Sequence, residues 1–302
     1  MLRVWPRCGG FVIALGAALL LALNASAGAP SVPIVPDTRT PVPSAVQLGV
    51  PLKGGGVVTG ETKRRLLHFT FDDGPDAKLT PRLLDALDRV GWKATFFFST
   101  SRFTGRERRN AEAVGLAREV ARRGHQLGAH GFDHKRMAKM NAAELDFQVK
   151  QSEAMFESVY GSRTLLFRPP FGSRNDILDR MLSDGGYVTT MWNIGMADWV
   201  ARKPELILHT FWRVLARNEA ERGERGGVVL LHDTHAWSVA AFGLIADSIQ
   251  ARNCQLLAAG EELYDVAESL APWVLPMSDD VYAVRQAALR KSTEVRCTHT
   301  VP

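Results

Sequence analysis

Cysteine is scarce: 302 residues hold three, and one of them, Cys8, precedes the first long apolar run. A disulfide-stapled mini-domain is therefore excluded. An excess of one charge is missing too. The formal net charge is +5, which falls to +3 once Arg3 and Arg7 are set aside, and the basic residues are too scattered to suit nucleic acid. No internal repeat is present, and no run after Leu23 is long enough for a bilayer, which takes roughly 20 apolar residues per helix. What remains is an ordinary globular composition, 46% hydrophobic and 23% charged. It rules out a disordered chain and a collagen-like one, although Gly and Pro number 26 and 15. The length suits one large domain or two ordinary ones, and a single α/β barrel would take up most of it.

Met1 to Ala27 has the form of an export signal. Arg3 and Arg7 supply the positive start, Phe11 to Leu23 is apolar without a break, and Ala25-Ser26-Ala27 is a small-x-small cleavage site. The mature protein is expected to be exported, periplasmic or extracellular, with no transmembrane segment. Residues 28–60 read as a Pro/Gly-rich linker carrying Pro30, Pro33, Pro36, Pro41 and Pro43. Residues 61–270 read as one catalytic domain and 271–302 as a carboxyl-terminal appendage of weak periodicity. Cys254 and Cys297 are either bridged, tying that appendage to the body, or two separate thiols.

Short apolar runs predict buried strands at 66–71, 94–99, 126–129, 165–168, 187–192, 228–232 and 255–259. Helical patterns fall between them. Thr80-Pro81 reads as an N-cap and first helical Pro. Asn141 with Glu144 reads as a capping box for a helix reaching Tyr160. Further helices are expected over 111–123, 176–183, 204–221 and 239–252. About seven alternations of strand and helix predict an α/β fold with a parallel sheet, closed or nearly closed into a distorted barrel. In such a fold the chemistry gathers on loops at the carboxyl ends of the strands.

Those loops carry the polar residues of interest. Thr70-Phe71-Asp72-Asp73-Gly74-Pro75 puts two adjacent carboxylates at a strand end. Side chains alternate along a strand, so one can bind a metal while the other stays free as a base. A plain Asp-Gly turn is the simpler alternative. His130-Gly131-Phe132-Asp133-His134 places two His residues four apart, on one face if the segment starts a helical turn. With Asp73 they make three protein ligands and leave an open position, as in catalytic zinc sites. Arg168-Pro169-Pro170-Phe171-Gly172 puts an Arg where it can pair with a carboxylate, Asp198 lies before Trp199, and Leu230-Leu231-His232-Asp233 ends a buried strand with a candidate acid or base.

From about Leu66 to Val266, roughly two thirds of the chain, this pattern resembles the polysaccharide deacetylases, the NodB-homology group or carbohydrate esterase family four. All five motifs of that family occur in its order: 70–75, 130–134, 168–171, 198–199 and 230–232. The resemblance implies a distorted (β/α) barrel and a metal-dependent hydrolase that removes N-acetyl groups from amino sugars of a polysaccharide. Peptidoglycan is the first expectation, and chitin oligomers or poly-N-acetylglucosamine the next. O-deacetylation, an amidase on another substrate and a non-catalytic relic are the alternatives. The implied roles are Asp73, His130 and His134 as ligands to Zn2+ (or Co2+), Asp72 as base, Arg168 as its partner and His232 as acid. Asp198 orients either Arg168 or His232, and Phe171, Trp199 and Leu230 contact substrate. Three positions depart from the family pattern: Gly131 replaces the usual Ser or Thr, Gly195 an acid, and Phe171 a Tyr.

Overall fold

A computed structural model of the protein describes residues 55–298 apart from residue 106. The expected leader and the linker as far as residue 54 lie outside the described residues. In chain order the elements are β1 (Gly56–Val58), β2 (Leu66–Asp72), α1 (Leu79–Val90), β3 (Ala94–Phe98), α2 (Glu107–Arg122) and β4 (Gln126–Ala129). Next come α3 (Ala142–Tyr160), β5 (Leu166–Phe167), α4 (Asp176–Asp184), β6 (Val188–Thr190), β7 (Ile194–Gly195) and α5 (Pro204–Arg222). The remainder are β8 (Gly227–His232), α6 (Ala236–Ala258), β9 (Asp265–Val266), α7 (Ala271–Val274) and α8 (Asp279–Thr298).

Every ladder between these strands is parallel, in the order β1-β6-β5-β4-β3-β2-β8-β7, with β9 added to β2. The sheet curls into a half-barrel left open between β1 and β7. Both faces are covered, so β2 and β3 are buried at every residue. β3 accordingly reads as a nearly continuous apolar run, whereas β2 alternates from Leu67 to Asp72 although both its faces are buried.

That alternation sorts the side chains of β2. Phe69 and Phe71 pack together against Phe242 of α6, with ring centroids 5.3 and 5.6 Å apart, and Phe71 meets Phe96 at 5.3 Å. His68, Thr70 and Asp72 take the other face, the inside of the curl. There His68 Nε2 lies 2.8 Å from Thr95 Oγ1, and Thr95 donates to Gln126 Oε1 at 3.1 Å. Phe97 shares that inner face. Its ring occupies the space a Cβ at residue 128 would need, within 2.3 Å, which requires Gly there. A polar column thus rises through the sheet and ends at Asp72.

Three sequence expectations are corrected. The segment 255–259 is not a strand but the last turn of α6, which runs unbroken from Ala236 to Ala258. Its buried Ile249, Asn253 and Leu256 keep helical spacing, and Gly260 (φ +71°) lies just beyond its end. Thr80 is not an N-cap. It lies inside the first turn of α1, where its hydroxyl donates to Asp233, while Asp76 accepts from the amides of Lys78 and Leu79. Strands β1, β7 and β9 were not anticipated, and β1 falls within the stretch read as linker. Asn141 and Glu144 do form the reciprocal capping box of α3.

The carboxyl-terminal segment is fastened at several points. Arg285 pairs with Asp265 at 2.7 Å, Gln286 donates to Leu263 O at 3.0 Å, and a disulfide joins Cys254 of α6 to Cys297 of α8.

Two buried imidazoles give the fold an acid-sensitive core. Burial pushes His68 and His125 down to about 4, so the folded chain keeps both neutral between pH 6.5 and 4 while the unfolded chain protonates them. Their stabilisation is therefore complete above pH 6.5 and is lost as pH falls, by up to about 1.4 kcal/mol per pH unit for each. Urea midpoints should drop steeply between pH 6.5 and 5, above the usual carboxylate range. A flat midpoint over that window would contradict this reading.

Candidate active site

The strand ends converge on one cavity of about 460 Å³, whose lining includes Asp72, Asp73, His130, His134, Leu230 and His232. Asp72 is the last residue of β2 and is buried. Asp73 follows in a left-handed conformation (φ 77°), which swings its side chain away from that of Asp72. Gly74 comes next because a Cβ there would lie 2.1 Å from Asp233 Oδ2. Asp233 is fully buried, and burial pushes its carboxyl up to about 7 against the opposing hydrogen bond from Thr80.

His130 and His134 leave β4 in a loop, not in the helical turn that their spacing suggested. Gly131 (φ 68°) and His134 (φ 57°) are both left-handed, which accounts for Gly at 131. The loop is locked from α3 by buried Gln148. Its Oε1 accepts from the amides of Phe132 and Asp133 at 2.9 and 3.3 Å, and its Nε2 donates to Asp133 Oδ1 at 2.7 Å.

His130 Nδ1 lies 2.7 Å from the carbonyl of Arg168, which can only accept. Nδ1 therefore carries the proton and Nε2 presents a lone pair. Burial holds this imidazole below its ordinary pKa and hence neutral. Asp73 Oδ1 lies 2.9 Å from His134 Nε2 and 3.5 Å from His130 Nε2. It is buried and accepts no hydrogen bond. Burial raises the pKa of Asp73, but the surrounding imidazoles outweigh that and hold it below the usual carboxylate range. One ligand atom from each of the three residues lies within 4.8 Å of the others. An orphaned carboxylate oxygen facing two imidazole nitrogens fits a divalent cation.

Arg168 is fully buried yet has partners throughout. One Nη donates to Asp72 Oδ1 and Thr70 Oγ1, both at 2.7 Å, the other to Met191 O at 3.1 Å, and Nε to Thr190 O at 3.0 Å. The guanidinium lies 4.2 Å from the Phe97 ring and 5.5 Å from Trp192. Asp72 thus spends one oxygen on Arg168, and its other lies 3.7 Å from His130 Nε2.

In the same cavity, His232 Nδ1 meets Asp198 Oδ1 at 2.9 Å. Asp198 Oδ2 accepts from the His232 amide at 2.9 Å and from the hydroxyl of Ser238 at 2.5 Å. Asp198 therefore sits on His232 and not on Arg168. Burial lowers the His232 pKa, but the Asp198 hydrogen bond and the nearby carboxylates raise it further, to about 9. Trp199, half exposed, meets the His232 ring edge-on at 5.6 Å. Phe171, also half exposed, lies 4.6 Å from the His134 ring. Leu230 is buried in the cavity wall. At the departure noted for residue 195, a Cβ would come within 3.0 Å of Trp192 Nε1, so Trp192 fills the space that a side chain there would need.

Sequence reasoning missed Gln148, Ser238, Arg136 and the part played by Asp233. Gln148 and Ser238 are polar residues within helices, and only the fold shows what they hold.

The polysaccharide deacetylase family model matches residues 59–190, which include Asp72, Asp73, His130, His134 and Arg168. The chain is 29% identical over 209 residues to the peptidoglycan-N-acetylglucosamine deacetylase PgdA of Listeria monocytogenes, covering 69% of this chain and 40% of that protein. It is 29% identical over 219 residues to a peptidoglycan-N-acetylglucosamine deacetylase of Bacillus cereus, covering 70% and 95%. In fold it is similar to the Bc1960 peptidoglycan N-acetylglucosamine deacetylase, with a TM-score of 0.58, 23% identity, and 70% and 90% of the two chains covered. Residues 59–190 thus match the polysaccharide deacetylase family, and the half-barrel of parallel strands with five polar loops on one rim agrees with that match.

Proposed function

We propose that this chain is a metal-dependent hydrolase that removes N-acetyl groups from amino sugars of a polysaccharide, with peptidoglycan N-acetylglucosamine as the principal substrate. One observation carries the reading: Asp73 Oδ1 faces two imidazoles without a hydrogen bond, while Asp72 beside it is held separately by Arg168. The names of the Listeria and Bacillus relatives support peptidoglycan as the polymer.

Asp73, His130 and His134 would hold the cation, and two imidazoles with one carboxylate suit Zn2+, with Co2+ as an alternative. A divalent ion there supplies Lewis acidity toward the acetyl carbonyl and favours ionisation of water at neutral pH. Asp72 takes the proton from the attacking water. Arg168 fixes which oxygen of Asp72 faces the cavity. The Phe171 amide donates to the oxygen on which charge develops. His232, protonated at neutral pH, gives its proton to the departing nitrogen as the C–N bond breaks, leaving acetate and a free amine. Asp198 orients that imidazole and stabilises its charge. Leu230 meets the acetyl methyl, and Trp199 flanks the sugar.

No helix among the described residues is long and apolar enough to cross a membrane. Export, with residues 1–27 as leader and a spacer from 28 to 54 before a catalytic domain that opens with β1 and an appendage at 271–302, belongs to the same proposal. The Cys254–Cys297 bridge supports an oxidising compartment. The test is acetate release from peptidoglycan and from N-acetylglucosamine oligomers. Acetate should appear in step with new free amines, and its absence from both substrates would end the proposal.

A further inference from the structure

Arg136 lines the cavity but has no part in the chemistry above. It is exposed, and its guanidinium sits over the Phe171 ring, 4.2 Å from the centroid. None of its N–H donors meets a carboxylate or carbonyl among the described residues, whereas its neighbour Lys135 is paired with Asp133 at 2.5 Å. The side chain is presented by a firm base: the preceding loop is locked by Gln148, and Met137 beside it is fully buried. An arginine held against a ring with its planar fork of donors free is suited to a planar anion, and a carboxylate is the match.

The acids on the loops that carry Arg136 and Trp199 are already engaged: Asp133 by Lys135 and Gln148, and Asp198 by His232. Neither competes for the Arg136 fork.

We propose that Arg136 binds a carboxylate carried on the glycan next to the N-acetyl group under attack, which makes the substrate class an acidic amino-sugar polymer and not a neutral one. This rests on the deacetylase reading above. A neutral oligomer would leave the fork unpaired in the cavity wall.

The test uses the metal-loaded full chain and three glycans of equal length. One is a neutral N-acetylglucosamine oligomer, the second carries a 3-O-lactyl carboxylate on alternate sugars, and the third is the second with its carboxylates methyl-esterified. Acetate release should show kcat/KM about tenfold higher for the acid than for its ester, the range of one charge-assisted hydrogen bond. The gap should narrow as ionic strength rises. Arg136→Gln should bring the acid-to-ester ratio close to one through a rise in KM for the acid, and Arg136→Lys should recover only part of the ratio, because an ammonium keeps the charge without the planar fork. Equal kcat/KM for acid and ester in the parent, or a ratio unchanged in Arg136→Gln, overturns the proposal while leaving deacetylation intact. No acetate from any of the three overturns the deacetylase reading and this inference with it.

Discussion

Asp72→Asn is expected to keep its metal and lose roughly a thousandfold in kcat, within the range set by a positioned general base. The asparagine has the shape of the carboxylate and retains an oxygen for the Arg168 guanidinium, but it has no lone pair basic enough to take a proton from water. Asp73, His130 and His134 are untouched, so metal content measured on the same sample should match the parent. Stability will fall, because Arg168 is fully buried and loses its only ion-pair partner among the described residues, at a cost of about 3 to 5 kcal/mol when such a pair is broken. Thermal unfolding of the variant therefore accompanies the assay, which is run well below its midpoint. Turnover within tenfold of the parent, with the fold and metal retained, would remove Asp72 from its role.

His232→Gln is expected to be nearly as damaging on an amide and much less so on an activated ester. An amine leaving group needs a proton before the C–N bond breaks, whereas a nitrophenolate leaves unaided. The variant should lose about a hundredfold or more on N-acetyl substrates and far less on 4-nitrophenyl acetate. A purely structural role would depress both equally. The pH dependence gives a second readout. His232 stands at about 9 in the metal-free chain because Asp198 and the nearby carboxylates outweigh the effect of burial. A raised imidazole pKa stabilises the fold below pH 6.5, and that contribution disappears as pH climbs through 9. Asp198→Asn should bring the His232 titration, followed by NMR, down toward its ordinary value. A titration unmoved by that change would break the link between the two residues.

The sequence reported those parts of the molecule that depend on long runs or on residues at strand ends. β2, β3, β4 and β8 are segments of four to seven residues rich in apolar side chains, and each was legible. β7 and β9 have two residues each, too few for any periodicity to register, and β1 hides in a Gly-rich stretch. The segment 255–259 misled because Leu256-Leu257-Ala258-Ala259 has strand-like texture. Only its continuity with Ile249 and Asn253 on one helical face decides the matter. At the site, the ionisable residues stood out because each follows a strand. What they touch did not. Asp198 and His232 are 34 positions apart, and nothing in the spacing chose His232 over Arg168 as its partner. The two glycines that break the family pattern have local causes, a left-handed backbone at 131 and the Trp192 ring against 195. Neither cause exists until the chain is folded.

The central claim is that Asp73, His130 and His134 share one divalent ion on which hydrolysis depends. Its most direct test is metal analysis of the purified chain alongside acetate release, before and after chelation and on titration with zinc. The account predicts one ion per chain, loss of activity on stripping, and recovery complete at one equivalent. It also predicts that His134→Ala loses metal and activity together. Full acetate release from the stripped protein, or a His134→Ala variant that binds metal as tightly as the parent, would contradict it.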